Sequence, residues 1–259
     1  MEHPSKLIMQ AIPDLPVIRE GDDLSLILQE GLTKSGITME NGDILVIAHK
    51  VVSKAEGRVV SLDAVTPSKE ALDLARETHK DPAKIELILR ESRKILRVKP
   101  PYKGRESVLI CLHRSGMIMA NAGVDESNTP GERTVVLLPD DPDHSARSLR
   151  SGLAVRTGIK PGVIISDSFG RPWRKGLVNV AIGLAGVPGM VDLTGTSDIH
   201  GKQLRATIPA FADETAAAAG LLMQKSGKSP AVLIKGLLWK EADCTALDLL
   251  RPETEDLFR

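Results

Sequence analysis

The stretch Gly162–Gly186, GVIISDSFGRPWRKGLVNVAIGLAG, decides how the rest of the chain is read. Val163-Ile164-Ile165 is an apolar β-branched run, which predicts a buried strand. The run ends in Ser166-Asp167-Ser168, and Gly170 and Pro172 break the pattern. A carboxylate at the exit of a buried strand is held on a stiff element and still reaches a cleft, where metal and phosphate chemistry is placed. Arg171, Arg174 and Lys175 surround Trp173, and Leu177–Leu184 then returns the chain to the core. One acid and three bases thus fall on a predicted loop between two buried segments. The alternative is a solvated turn whose aspartate satisfies backbone amides; the mix of charges favours a site.

Composition narrows the function classes. The 259 residues are enough for one large domain or two small ones with ample core; nothing in the composition forces a boundary, so 1–259 is read as a single domain with room for two lobes. The formal net charge is zero, which argues against a general nucleic-acid or membrane binder. Aromatic content is 2%, too low for a base-stacking platform. Cys111 and Cys244 are the only cysteines and have no ligand spacing, so a zinc site is not expected and a reducing cytoplasm is. No signal-peptide pattern opens the chain, and no apolar run approaches the roughly 18 residues of a membrane helix.

Outward from the central stretch, Lys6–Ile12 predicts a first strand, and Asp22-Asp23 caps a helix over Leu24–Lys34. Ile44–Ala48 predicts a strong buried strand. His49-Lys50 follows it, and Lys50, Lys54 and Arg58 recur every four residues, on one helical face or converging in a loop. Helices are predicted from Ser68 through His79 and from Pro82 through Leu96. Val108–Leu112 and Met117–Ala120 predict a hairpin, Val135–Leu138 a strand, and Pro142–Thr157 a helix stopped by Gly158. Gly186–Ile208 reads as loop, Phe211–Lys225 as an Ala-rich helix and Ala231–Ile234 as the last strand. The tail from Trp239 reads as partly helical.

Three acids stand out as metal candidates: Asp125, Asp167 and Glu214, the last beside Asp213 in the first turn of the Ala-rich helix. A hard divalent cation takes one or two carboxylates plus substrate phosphates. Glu214 has the alternative of simply favouring its helix N-terminus. Gly183, Gly186 and Gly189 lack dinucleotide-fold spacing. Ser226-Gly227-Lys228-Ser229 ends like a P-loop, but Leu222 stands at the leading glycine position and the element order is reversed. The segment offers either backbone amides to a phosphate or an ordinary helix-ending connector. No nucleophile motif is present, and the six histidines show no ligand spacing and read as surface or structural residues.

Taken together, GDILVIAHKVVSKAEGR, NAGVDESN, the central stretch, and ADET with LLMQKSGKSPAVLIKGL resemble the coenzyme F420 γ-glutamyl ligase family, in order along nearly the whole chain. The resemblance implies a homodimeric α+β enzyme with a mixed-sheet fold that is not Rossmann, P-loop or ATP-grasp. It implies GTP-dependent addition of L-glutamate to a deazaflavin precursor, F420-0, and extension of a γ-linked tail, with Mn²⁺ or Mg²⁺ and assisting K⁺. By position, Leu15, Pro16, Val17, Ile18, His49, Lys50, Lys54, Asn128 and the run Met223, Gln224, Lys225, Ser226, Gly227, Lys228, Ser229, Pro230 match nucleotide contacts. Asp125, Asp167 and Ser168 match metal ligands, with Gln224 and Glu214 as further candidates. The chain carries His49-Lys50 where archaeal members often have Ser-Thr, and Ser168-Phe169 where they have Thr-Asn. No flavin-reductase-like domain is expected within it.

The mechanism so implied is phosphoryl transfer to a carboxylate followed by attack of glutamate's amine. Lys54, Arg171 and Arg174 are the residues expected to balance charge. Two other classes stay open at this point: a nucleotide-binding regulator with a degenerate site, and a metal-dependent phosphohydrolase.

Overall fold

The computed structural model describes residues 6–102, 106–223 and 229–256. In chain order its elements are β1 (Ile8–Ala11), α1 (Leu24–Lys34), β2 (Ile44–Ala48), α2 (His49–Ala55), β3 (Val59–Ser61), α3 (Lys69–Thr78), α4 (Pro82–Glu91) and β4 (Ser92–Lys99). They continue as β5 (Val108–His113), β6 (Ile118–Ala120), β7 (Thr134–Val136), α5 (Pro142–Thr157), β8 (Gly162–Arg171), β9 (Arg174–Ala185), α6 (Phe211–Met223) and β10 (Ala231–Lys235). The main sheet runs β1-β10-β2-β8-β9, with β2 and β8 parallel and the other pairs antiparallel, so the mixed α+β class is as expected. Among the described residues no helix is long and apolar enough to cross a membrane.

Burial on both faces explains the unbroken apolar runs. Leu45, Ile47, Val163 and Ile165 face α1 and α5, whereas Ile44, Val46 and Ile164 face α6 and the C-terminal segment. Each of these side chains is fully buried and contributes about 1.5–3 kcal/mol. A third apolar cluster lies among α3, α4, β5 and the 122–124 turn.

The central stretch differs from its reading in one respect. Strand β8 does not end at Asp167; it runs to Arg171 and turns at Pro172-Trp173 straight into β9. The pairs Asp167↔Val180, Ser168↔Asn179 and Phe169↔Val178 carry the ladder onward, so Asp167 sits within a strand and not at a loop. A bulge in β9 separates the pairs Ile165↔Gly183 and Ser166↔Ala181. Carboxylates satisfy two amides of this edge strand: Asp213 accepts from Ala181 at 2.9 Å, and Asp143 accepts from Leu184 at 2.7 Å.

The helix beginning at Pro82 is also shorter than predicted. It ends at Glu91, where Ser92 turns extended (φ −105°, ψ 140°), because Ser92–Lys99 pairs with β5. At that junction Glu91 is clamped. Arg58 Nη2 lies 3.0 Å from both carboxylate oxygens, Arg114 Nε 2.9 Å from Oε2 and His113 Nε2 3.4 Å from it. Burial pushes this carboxyl up, but His113, Arg114 and Arg58 overcome it and hold the pKa at about 2.

The folded-state value lies below the ordinary 4.5, so the clamp stabilises above that pH and is lost as pH falls towards 2. Glu91→Gln is therefore expected to cost about 3 kcal/mol near neutrality. Urea unfolding of both proteins at pH 7 and pH 3 checks this: the gap should shrink at the lower pH, and a constant gap contradicts the assignment.

Candidate active site

The sheet order gathers the predicted segments at one end. The Ile12 amide donates to the Ala231 carbonyl at 2.9 Å, the Ala48 amide donates to the Pro230 carbonyl at 2.8 Å, and Ala48 pairs with Ser166. Leu15–Ile18 after β1, Ser229-Pro230 before β10, His49–Lys54 after β2 and Asp167-Ser168 on β8 therefore depart from the same edge. This is where open sheets with parallel strands place ligands. Leu15 and Pro16 line a cleft of about 460 Å³ with Ile27, Glu30, Gly31 and Lys34 of α1. Gly31 makes room for Leu15: a Cβ there would stand 2.6 Å from Leu15 Cδ2. Ile18 is buried, and Val17 is exposed.

Helix α2 follows β2 without a linker, so its first residues are aimed by the sheet. His49 is 2% exposed. Its Nδ1 lies 3.3 Å from Ser53 Oγ and its Nε2 3.2 Å from Asp167 Oδ1. Lys50 Nζ meets Asp125 Oδ2 at 2.7 Å, the Ser127 carbonyl at 3.2 Å and the Ser127 hydroxyl. Two consecutive residues thus each hold one of the two acids, which come from separate parts of the chain. Asp125 is fixed by exchanging backbone bonds with Val136 at 3.1 and 2.8 Å. The turn leading to it is strained, since Ala122 adopts φ 50°, a left-handed conformation that costs energy in a residue with a Cβ.

Both carboxyls are held below their usual range. Burial raises each, but for Asp167 it is outweighed by His49, the Ser168 amide and Lys50, and for Asp125 by Lys50 and the Ser127 amide. Lys50 acts on both acids, which ties them into one electrostatic unit. Lys54, one turn further along α2, is half-buried and forms no ion pair among the described residues. Burial and the charge of Lys50 push its ammonium pKa down. An approaching anion would relieve both effects.

Other predicted residues lie apart. Arg58 leaves the Lys50–Lys54 face: α2 ends at Ala55, Gly57 turns the chain with φ 70°, and Arg58 goes to Glu91. The spacing of four therefore produces no three-cation stripe. Arg171 and Arg174 face each other at the β8–β9 tip, four residues or about 13 Å of strand beyond Asp167. Arg171 Nη2 donates to the Lys175 carbonyl at 3.1 Å. Glu214 is exposed on α6, which packs against the sheet face opposite the one Asp167 shares with Val163 and Ile165. Asn128 is exposed, with φ 60°. Met223 closes α6, its sulfur 3.9 Å from Asn179 Nδ2. Gln224, Lys225, Ser226, Gly227 and Lys228 lie outside the described residues.

Ser53 and Ser127 were not singled out from sequence. Ser53 had a readable signal, because it stands four residues from His49 on one helix face. Among the described residues no group of three or more His, Cys, Asp or Glu forms a metal cage. Two ionised aspartates are instead oxygen donors that fit a hard divalent cation completed by phosphate and water, whereas the expected third ligand, Ser168, turns its side chain to the α6 face with its pair partner Asn179.

Comparison with known proteins identifies the family. The family model described as F420-0:Gamma-glutamyl ligase matches residues 14–236, a span containing every site residue described above. The chain belongs to this family. It is 44% identical over 258 residues to the coenzyme F420:L-glutamate ligase of Methanopyrus kandleri, covering 98% of each chain. It is 42% identical to the enzyme of that name from Methanothermobacter thermautotrophicus, over 96% of this chain and 97% of the relative. The Archaeoglobus fulgidus enzyme is 38% identical over 96% and 94%. The resemblance seen in the motifs thus extends over nearly the full length of these relatives.

Proposed function

We propose that this chain is a ligase that joins L-glutamate to the deazaflavin coenzyme F420-0 and extends a γ-linked tail. GTP is the phosphoryl donor, and an acyl phosphate is the intermediate. Family membership supports the ligase class. The observation that carries the mechanism is the pairing of His49–Asp167 and Lys50–Asp125, which sets two ionised acids at the sheet end beside Lys54, a lysine with no ion pair among the described residues.

In this reading Asp125 and Asp167 would hold Mn²⁺ or Mg²⁺. The cation's role when bound is to neutralise and orient the phosphates. His49, locked between Ser53 and Asp167, fixes the carboxylate's direction. Lys54 binds phosphate oxygen, and the cleft at Leu15 and Pro16 receives the nucleoside. Arg171 and Arg174 reach the substrates only if the hairpin tip bends towards them. K⁺ remains part of the reading without an assigned residue. A homodimer belongs to it too, supported by the tip, where Trp173 and Leu177 are 87% and 57% exposed.

Purified protein with GTP, Mn²⁺, L-glutamate and F420-0 tests the function. A product heavier by one glutamyl residue is expected, with phosphate release that depends on both glutamate and acceptor. Phosphate release independent of both indicates a phosphohydrolase, and tight GTP binding without turnover indicates a regulator. Lys54→Ala is expected to raise the KM for GTP about 30-fold or more, equivalent to ~2 kcal/mol for losing one partner of a desolvated charge pair, with the KM for glutamate unchanged. Unchanged GTP affinity by calorimetry would remove Lys54 from the site.

A further inference from the structure

Two lysines are buried outside the site described above. The Lys80 side chain is 2% exposed and that of Lys84 6%. Their ammonium groups converge on one oxygen: Glu106 Oε2 stands 2.8 Å from Lys80 Nζ and 3.2 Å from Lys84 Nζ. Lys84 Nζ also meets Glu126 Oε2 at 2.7 Å. Both glutamates are 49% exposed. The arrangement is a floor of two buried cations under two half-exposed carboxylates.

Burying two ammonium groups side by side is costly unless carboxylate oxygens meet them, so the floor is selective for carboxylate. Ser107, next to Glu106, is 1% exposed and its hydroxyl has no hydrogen-bond partner among the described residues, which leaves a further polar group at hand. The position of the cluster relative to the aspartates gives it a role. Glu126 lies between Asp125 and Ser127, the two residues that Lys50 holds, so Lys84 grips the same loop from another side.

We propose that Lys80 and Lys84 form a carboxylate subsite for the incoming glutamate, occupied in the free protein by the chain's own Glu106. The identity of the amino acid rests on the ligase reading above. The incoming glutamate bonds through its amine, and both of its carboxylates remain free to be gripped. Anchoring one carboxylate beside the Asp125 loop leaves the amine to be directed at the activated acceptor. Binding exchanges one carboxylate for another over the two lysines, and Glu106 swings into solvent.

A place-holder lowers apparent affinity by the fraction of time the subsite is open, so Glu106→Gln is expected to tighten binding of L-glutamate about fivefold or more. Calorimetric titration of L-glutamate into the full chain, without nucleotide or acceptor, reads this directly. Lys84→Met is expected to weaken the same binding about tenfold or more. A purely structural ion cluster predicts no glutamate binding by the wild type and lower stability for E106Q, because that variant strips a partner from two buried lysines. Glutamate binding that is absent from both wild type and E106Q, unchanged, or weaker in E106Q overturns the proposal, and this arm decides even if K84M fails to fold. The ligation assay on the same samples separates the two readings. Product formed by a wild type whose glutamate affinity E106Q does not improve sinks the subsite alone. Improved affinity in E106Q without product from wild type sinks the ligase reading alone.

Discussion

Asp167→Asn is expected to lower ligation on the order of 10³-fold, the scale of removing one preorganised charge-stabilising group. The substitution keeps size and an oxygen that can still face His49 Nε2, 3.2 Å away in the native pair, and it removes the negative charge that a hard cation requires. The strand should survive, because its ladder with Val180 is made by the backbone. Some stability should go with the ionised carboxylate that His49 and Lys50 favour, but the protein should stay folded while turnover collapses, even at saturating Mn²⁺. Near-normal turnover at saturating metal would make Asp167 a structural residue that merely fixes His49.

Asp125→Asn is expected to behave alike, for a reason the geometry makes specific. Lys50 spans the two acids: it bonds Asp125 at 2.7 Å and its charge also lowers the Asp167 pKa. If the acids act as one cation-and-phosphate unit, the double variant should be little slower than either single one. Rate losses that multiply would show two independent contributions. Steady-state kinetics of the two single variants and the double variant distinguishes these results.

Much of the fold was legible where local chemistry decides it. Leu24–Lys34 and Pro142–Thr157 are helices over the predicted residues, because Asp23 caps the first and Gly158, at φ 72°, stops the second. The misreadings share one cause, pairing between distant residues. SRKILRVK after Glu91 has acceptable helical composition, and only its partner Val108–His113 makes it a strand. In the same way Phe169–Arg171 looked like loop until Arg174–Val178 supplied the other half of a ladder.

The site was legible in its acids and less so in what holds them. Asp125 and Asp167 stood out by residue type and position, but their convergence on His49-Lys50 could be read only from the structure. The role of His49 was invisible, because its partner Asp167 lies on another strand and a lone histidine carries no ligand spacing. The buried pair Lys80 and Lys84 was equally hidden, since lysines near a helix start ordinarily read as a solvated face. Burial, which sequence pattern does not report for a single charged residue, is what turns them into a site.

The central claim is that this sheet end activates a carboxylate by phosphorylating it before the amine attacks. Acceptor labelled with ¹⁸O in its carboxylate, incubated with GTP, Mn²⁺ and L-glutamate, tests it most directly. Phosphoryl transfer to that carboxylate leaves one labelled oxygen on the phosphate when the amide forms, so ¹⁸O should appear in the inorganic phosphate released, in step with product. Product formed with unlabelled phosphate would contradict the account.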